Sequence, residues 1–258
     1  MRKYLLLLLS LVSFNCAYSQ EVTKKEEVVF QPGEQITYKL RYGIFTAAEA
    51  VIKVENSAQN FEGKPALRIY STANTSGTFN LLFKVRNLYQ TFIDPHTLLP
   101  YYYAEDRKEG GYKHTDKVTF DHEKNIITAN NGKYPFKGNV FDFLSAYYFA
   151  RNIDVANLKI NQTLDLRYFL EDGIHTLTIT YLGKEKISCG LGTFNCLKFN
   201  PTIIPGRIFK KNSKLYLWIT DDKNRIPVKA HVELIVGSLV MDLTQASGLK
   251  YPLNPVKK

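Results

Sequence analysis

The sequence predicts an all-β protein, mainly antiparallel, whose meandering sheet curls into a half-barrel or barrel-like shape with one buried helix near 140–151. Three observations predict it. Apolar residues alternate with polar ones in one segment after another, the period of a half-buried strand. Turn-forming residues separate those segments at short intervals. The composition suits pleated surfaces, with 17 Tyr and 16 Phe against 2 Met in 258 residues.

The elements follow in order. Residues 20–31 are polar and charged and read as a flexible lead to a single β-rich domain over 32–246. In 35–42, Ile36, Tyr38, Leu40 and Tyr42 alternate with Thr37, Lys39 and Arg41. The pattern repeats over 48–55 beyond Gly43, and a third strand, 66–72, follows Gly63-Lys64-Pro65. Phe79, Leu82 and Phe83 have helical spacing, so 78–84 reads as a short helical turn before a strand over 85–93. Asp94-Pro95-His96 is a turn. The strand 99–107 carries Tyr101, Tyr102 and Tyr103 and is broken by Gly110-Gly111. Residues 113–121 and 125–129 pair across His122-Glu123-Lys124, and Asn131-Gly132 is a strong hairpin dipeptide. A helix over 141–151, capped by Asn139, is apolar around nearly its whole circumference, which marks it as buried. Strands resume over 163–170, 174–181, 184–188, 194–200, 215–220, 228–235 and 238–244. The tail over 247–258 reads as irregular. No internal repeat or low-complexity linker interrupts the chain.

The first nineteen residues carry an address. Met1-Arg2-Lys3 is a short basic head, 4–14 is apolar, and Ala17-Tyr18-Ser19 places small residues before Gln20. That is the layout of a secretory signal peptide cleaved near Ser19/Gln20, too short to span a bilayer. Ser13-Phe14-Asn15 before Cys16 is a poor lipoprotein box, so lipid anchoring at Cys16 is not expected. The mature protein is expected in the periplasm, with no later transmembrane segment. Without Arg2 and Lys3 the chain keeps 32 basic against 24 acidic residues, a formal charge of +8. The lysines are scattered apart from Lys210-Lys211 and Lys257-Lys258, and export removes nucleic acid as a partner. Solubilising charge, an anionic membrane surface or an acidic glycan remain as readings of that balance. In an oxidising compartment the pair Cys189 and Cys196, flanking the hairpin loop 190–193, is a disulfide candidate, against two free thiols.

Several segments together resemble one family. They are Gly33-Glu34-Gln35-Ile36-Thr37-Tyr38, Leu98-Leu99-Pro100, the run Asp-Phe-Leu-Ser-Ala-Tyr-Tyr-Phe-Ala-Arg over 142–151, Gly192-Thr193-Phe194-Asn195-Cys196, and Trp218-Ile219-Thr220-Asp221-Asp222 leading to Arg225-Ile226-Pro227-Val228. In this order they resemble DUF3108, exported bacterial proteins of unknown function, over about 28–245. The resemblance implies a periplasmic, β-rich protein with no established activity. Ser-Gln at the cleavage site resembles exported proteins of the Bacteroidetes. A curled sheet around a helix is also similar in outline to bacterial lipoprotein carriers, an analogy of fold alone.

No catalytic constellation stands out. None of His96, His114, His122, His175 and His231 has a metal-ligand spacing with another, and no cofactor is expected. Ser145 lacks the glycines of a nucleophile elbow. Asp221-Asp222 with Asn224 lacks the spaced acids of a calcium loop and reads as a strand-ending turn that Arg225 can pin. Asp142 and Arg151 suit the two ends of the helix dipole. Glu105, Asp106 and Glu109 are nothing more than surface charge by pattern. The ligand-lining candidates are Tyr101, Tyr103, Tyr147, Tyr148 and Trp218, for which core packing is the competing reading. The expected function is therefore a non-catalytic binding or carrier protein for a lipid, lipoprotein or envelope polymer. An envelope assembly factor working through protein contacts comes next, and a glycan or cell-wall hydrolase third.

Overall fold

The computed structural model describes residues 27–202 and 213–256. The leader, Cys16 and both lysine pairs lie outside them. Alternating side chains produce β1 (Gln35–Tyr42), β2 (Phe45–Asn56), β3 (Leu67–Thr75), β4 (Val85–Ile93), β5 (Pro100–Glu109), β6 (Tyr112–Asp121), β7 (Ile126–Ala129) and β8 (Gly132–Pro135). After the helix come β9 (Thr163–Leu170), β10 (Gly173–Cys189), β11 (Gly192–Pro201), β12 (Leu215–Thr220), β13 (Pro227–Glu233) and β14 (Ser238–Ser247). A short helix, α1 (Gly77–Leu82), joins β3 to β4, and α2 (Phe143–Arg151) lies between β8 and β9.

All fourteen strands form one antiparallel sheet, in the order 8-7-6-5-4-3-2-1-14-13-12-11-10-9. Two meanders thus meet where β1 pairs with β14, and β8 and β9 are the free edges. The sheet is not closed by hydrogen bonds, but its curl brings the edges together. The rings of Tyr134 on β8 and Phe169 on β9 are 5.0 Å apart. Phe141 then bridges β9 directly, its amide donating to the Arg167 carbonyl at 2.9 Å and its carbonyl accepting from Phe169 at 2.7 Å. The connection through α2 therefore fills the seam, which also shields strand edges that would otherwise be free to pair with another chain.

The helix is shorter than its apolar run suggests. Phe141 is spent on the seam, so Asp142, not Asn139, is the N-cap. One Asp142 carboxylate oxygen accepts from the Leu144 and Ser145 amides at 2.9 and 3.0 Å. The other accepts from the Thr91 and Ser145 hydroxyls at 2.6 and 2.8 Å. Asp142 thus ties the first turn of α2 to β4. Burial raises its pKa above the ordinary carboxylate value, against the Thr91 and Ser145 hydrogen bonds, which lower it. Asp142→Ala removes a cap and strands two buried hydroxyls, and should destabilise by about 2 kcal/mol or more in urea denaturation. A raised folded-state pKa favours folding most below the unfolded value and loses that contribution as pH rises through the folded one. The stability advantage of wild type over Asp142→Asn should accordingly shrink as pH rises out of the acid range.

Four expectations need correction. Residues 174–181 and 184–188 belong to the single strand β10, because Gly183 (φ +111°) absorbs a register shift that bends the strand without ending it. The lead does not extend to residue 31: Val29 and Phe30 are buried in the main core, and the Val29 amide donates to Asn152 Oδ1 at 2.8 Å. The tail is irregular in hydrogen bonding but packed. Leu249 and Leu253 join the β1–β14 core, and Gly248 passes so close that a Cβ there would lie 1.9 Å from the Gly33 carbonyl oxygen. Cys189 and Cys196 are free thiols. In the hairpin register Cys189 faces Gly192 and Cys196 faces Glu185, so the two are not cross-strand partners. Burial pushes the Cys196 thiol up to about 12.

Candidate functional site

Helical spacing sets the site. Positions 147, 150 and 151 share one face of α2, and that face overlies the inner wall formed by β9–β12. Between them runs an apolar crevice of about 60 Å³ lined by Tyr147, Ala150, Arg151, Ile153, Val155, Leu164, Ile179, Phe199, Pro201, Leu217 and Ile219. The irregular segment after α2 contributes Ile153 and Val155 to its lining, and Leu158 beyond them packs half-buried against the main core.

A polar node closes the inner side. Arg151 and Glu34 are almost wholly buried, at 2% and 0% exposure. The guanidinium donates to both Glu34 carboxylate oxygens, at 2.6 and 2.9 Å, and to the Asn224 carbonyl at 3.0 Å. The Tyr148 hydroxyl donates to Glu34 at 3.0 Å, and the guanidinium carbon stands 4.9 Å from the Tyr148 ring centre. Burial opposes the charge on Arg151, but the Glu34 carboxylate outweighs it and holds the guanidinium above its usual pKa. The Tyr38 and Tyr147 hydroxyls, close to each other and to Arg151, are buried without a well-formed hydrogen bond. Burial keeps Tyr147 protonated, its pKa pushed up to about 12, so it remains a donor. Buried polar atoms without partners are uncommon and mark places where a polar group is missing.

A second, polar cleft of about 40 Å³ lies where β5 and β6 face the N-terminus of α2 and the β9–β10 turn. Of the four acids that line it, Glu105, Asp116, Asp142 and Glu171, two are engaged by neighbouring side chains. Glu105 accepts from the Tyr103 hydroxyl at 2.7 Å and lies 3.8 Å from Arg107 and 3.5 Å from His114. Asp142 caps α2. Outside the cleft, Glu109 is held by Arg107 and Asn87, and Asp106 pairs with Lys108.

The five aromatic candidates do not converge. Tyr147 lines the crevice, and Tyr148 belongs to the ion-pair node. Tyr103 walls the polar cleft. Tyr101 stacks on Phe61 at 5.3 Å and donates to Asp94 at 2.6 Å. Trp218 faces away from the crevice, which its neighbours Leu217 and Ile219 line, and donates to Glu185 at 2.5 Å beneath Lys198. Of the polar candidates, Asp222 organises its turn by accepting from Thr220, Asn224 and Arg225, while Asp221 pairs with Lys184 at 2.7 Å. Arg225 turns the other way and donates to the Ile153 carbonyl. The residue missed is Glu34. A single acid beside Gly33 carries no signal for a partner 117 positions away.

The family described as a protein of unknown function, DUF3108, matches residues 37–244. Among solved structures, the chain is similar to a β-barrel-like protein of the domain of unknown function DUF1849 from Brucella abortus, at 9% identity and a TM-score of 0.53, covering 84% of this chain and 98% of that one. It is similar at TM-score 0.40 to the hypothetical protein CT021 from Chlamydia trachomatis, at 8% identity over 88% of this chain and 94% of that one. A Bacteroides fragilis structure described as an exported protein with a YmcC-like fold aligns at TM-score 0.34 and 12% identity, over 85% of this chain and 99% of that one. The first likeness shows a shared fold; the other two are too distant to carry an argument. No curated protein matches the sequence.

Proposed function

The chain belongs to the DUF3108 family of unknown function, and from that premise we propose that it is an exported, non-catalytic carrier that holds the acyl chain of an envelope amphiphile under α2. The observation that carries this reading is the apolar crevice under α2, lined by Tyr147 on one side and by Leu164, Ile179, Phe199, Leu217 and Ile219 on the other. At about 60 Å³ the crevice has room for roughly two waters, well below the ~300–1,000 Å³ of an occupied ligand site. Holding an acyl chain therefore requires the crevice to open. Opening displaces Val155, whose side chain then gives its place on the core to the acyl chain.

Export rests on the leader read from the sequence. Among the described residues no helix is long and apolar enough to cross a membrane. The hydrolase reading has less support, because two of the acids lining the polar cleft, Glu105 and Asp142, are already bound to neighbouring side chains.

A hydrophobic fluorescent probe titrated into the protein tests the site. Ala150 is half-exposed on the crevice face of α2, so Ala150→Trp fills the crevice from its rim. Binding is expected to weaken at least about tenfold, the effect of a lost buried apolar contact of 1.4 kcal/mol or more. Leu217→Trp, from the opposite wall, should do the same with the thermal midpoint little changed. Equal probe binding by both variants and wild type rules the crevice out.

A further inference from the structure

The ends of the sheet differ in character. At one end the turns are polar: residues 57–60, 94–97 and 121–124 contain no exposed large apolar side chain. At the other end the turns between β13 and β14, β1 and β2, β3 and β4, and β5 and β6 lie side by side, in the order set by the sheet. Here Val236, Ile44, Phe45, Leu81, Leu82 and Phe83 are 54–88% exposed. The tips touch. The Tyr42 hydroxyl donates to the Val236 carbonyl at 3.1 Å, the Phe45 and Phe79 rings are 6.5 Å apart, and Phe83 lies against Gly110. They form one apolar ridge, not scattered residues, and such a ridge marks an interaction surface.

The charge around it selects the partner. The residues flanking these tips include the cations Arg41, Lys84, Arg86, Lys108, Lys113 and Lys214; Arg41 is paired with Asp242 and Lys108 with Asp106, which leaves Lys84, Arg86, Lys113 and Lys214 against Glu109 and Glu233. Lys84 and Lys113 are exposed and make no ion pair among the described residues. Apolar tips that project beyond a ring of cations fit a bilayer, where the tips enter the headgroup–acyl boundary and the cations meet anionic headgroups. We infer that this end of the sheet is a membrane-docking face for an anionic phospholipid surface. The crevice residues Pro201 and Leu217 sit at the ends of β11 and β12 that point the same way, since Leu215 pairs with Val232 and Tyr42 with Leu239. The docking face stands apart from the crevice and does not depend on what the crevice holds.

Vesicle flotation tests it, using the protein expressed from its full coding sequence so that it is processed as in its own cell. Wild type should float with phosphatidylethanolamine/phosphatidylglycerol vesicles at low salt, bind phosphatidylcholine vesicles weakly, and lose binding as salt shortens the screening length. Leu81→Ser/Leu82→Ser/Phe83→Ser should weaken binding about tenfold or more. Lys84→Glu/Lys113→Glu should weaken binding to the anionic vesicles alone. Both variants alter exposed side chains, so thermal midpoints and probe binding in the crevice should be unchanged. The inference is overturned if wild type stays in solution with anionic vesicles, if the serine variant floats as well as wild type, or if the tips instead mediate a concentration-dependent dimer that vesicles do not dissolve.

Discussion

Replacing Arg151 with methionine should lower the unfolding free energy by about 3–5 kcal/mol, the range for breaking a buried ion pair from one side. Methionine fills much of the same volume, so the loss is electrostatic. Glu34, with no exposure, would keep only the Tyr148 hydroxyl as a partner, and the Asn224 carbonyl would lose its donor. The node joins the start of β1, the last turn of α2 and the β12–β13 turn, so its loss loosens three elements at once. Glu34→Gln placed in the Arg151→Met background removes the unpaired charge and should recover a substantial part of the loss. Urea denaturation of wild type, both single variants and the double variant measures the coupling directly. Additive effects of the two substitutions would show that the pair does not act as a unit.

Phe30→Ala should destabilise by about 3–5 kcal/mol, the range for truncating a buried Phe. Phe30 is 3% exposed, packs edge-on against Tyr148 with ring centres 4.7 Å apart, and lies 5.6 Å from the Arg151 guanidinium carbon. It is a wall of the node as well as part of the core. A shift in the thermal midpoint comparable to that of other core truncations places the start of the domain before residue 30. A variant as stable as wild type would mean that the segment before β1 is dispensable.

Much of the architecture was legible because alternation is a local signal. In β1, Ile36 and Tyr38 are buried and Lys39 is exposed, and the alternation breaks at the buried Thr37, beside a register shift against β14. The same signal does not say which face of a strand turns toward the concave side, and it fails at bulges. That is why Leu217 and Ile219 line the crevice while Trp218, the more conspicuous residue, is buried on the opposite face beside Phe194, Cys196 and Val228. It is also why β10 read as two strands, since Gly183 breaks the pattern without breaking the strand. The dipole argument for Asp142 and Arg151 captured half of the matter. Asp142 is the cap, but Arg151 is fixed by Glu34 and Asn224, which only the folded chain brings near. The segment 20–31 looked like a charged lead because Lys24, Lys25, Glu26 and Glu27 dominate it, and the apolar Val28-Val29-Phe30 that follows is too short to reveal a period. The exposed ridge of turns was present in the sequence as Ile44-Phe45 and Leu81-Leu82-Phe83, but the strand order was needed to show that they stand together.

The most direct test of the carrier account is organic extraction of the protein purified from its own cells without detergent, followed by mass spectrometry of the extract. The account predicts an acyl-chain amphiphile at near-stoichiometric amount in wild type and its loss in Ala150→Trp, with the fold intact by circular dichroism. An extract free of acyl amphiphiles, or the same content in Ala150→Trp as in wild type, would contradict it.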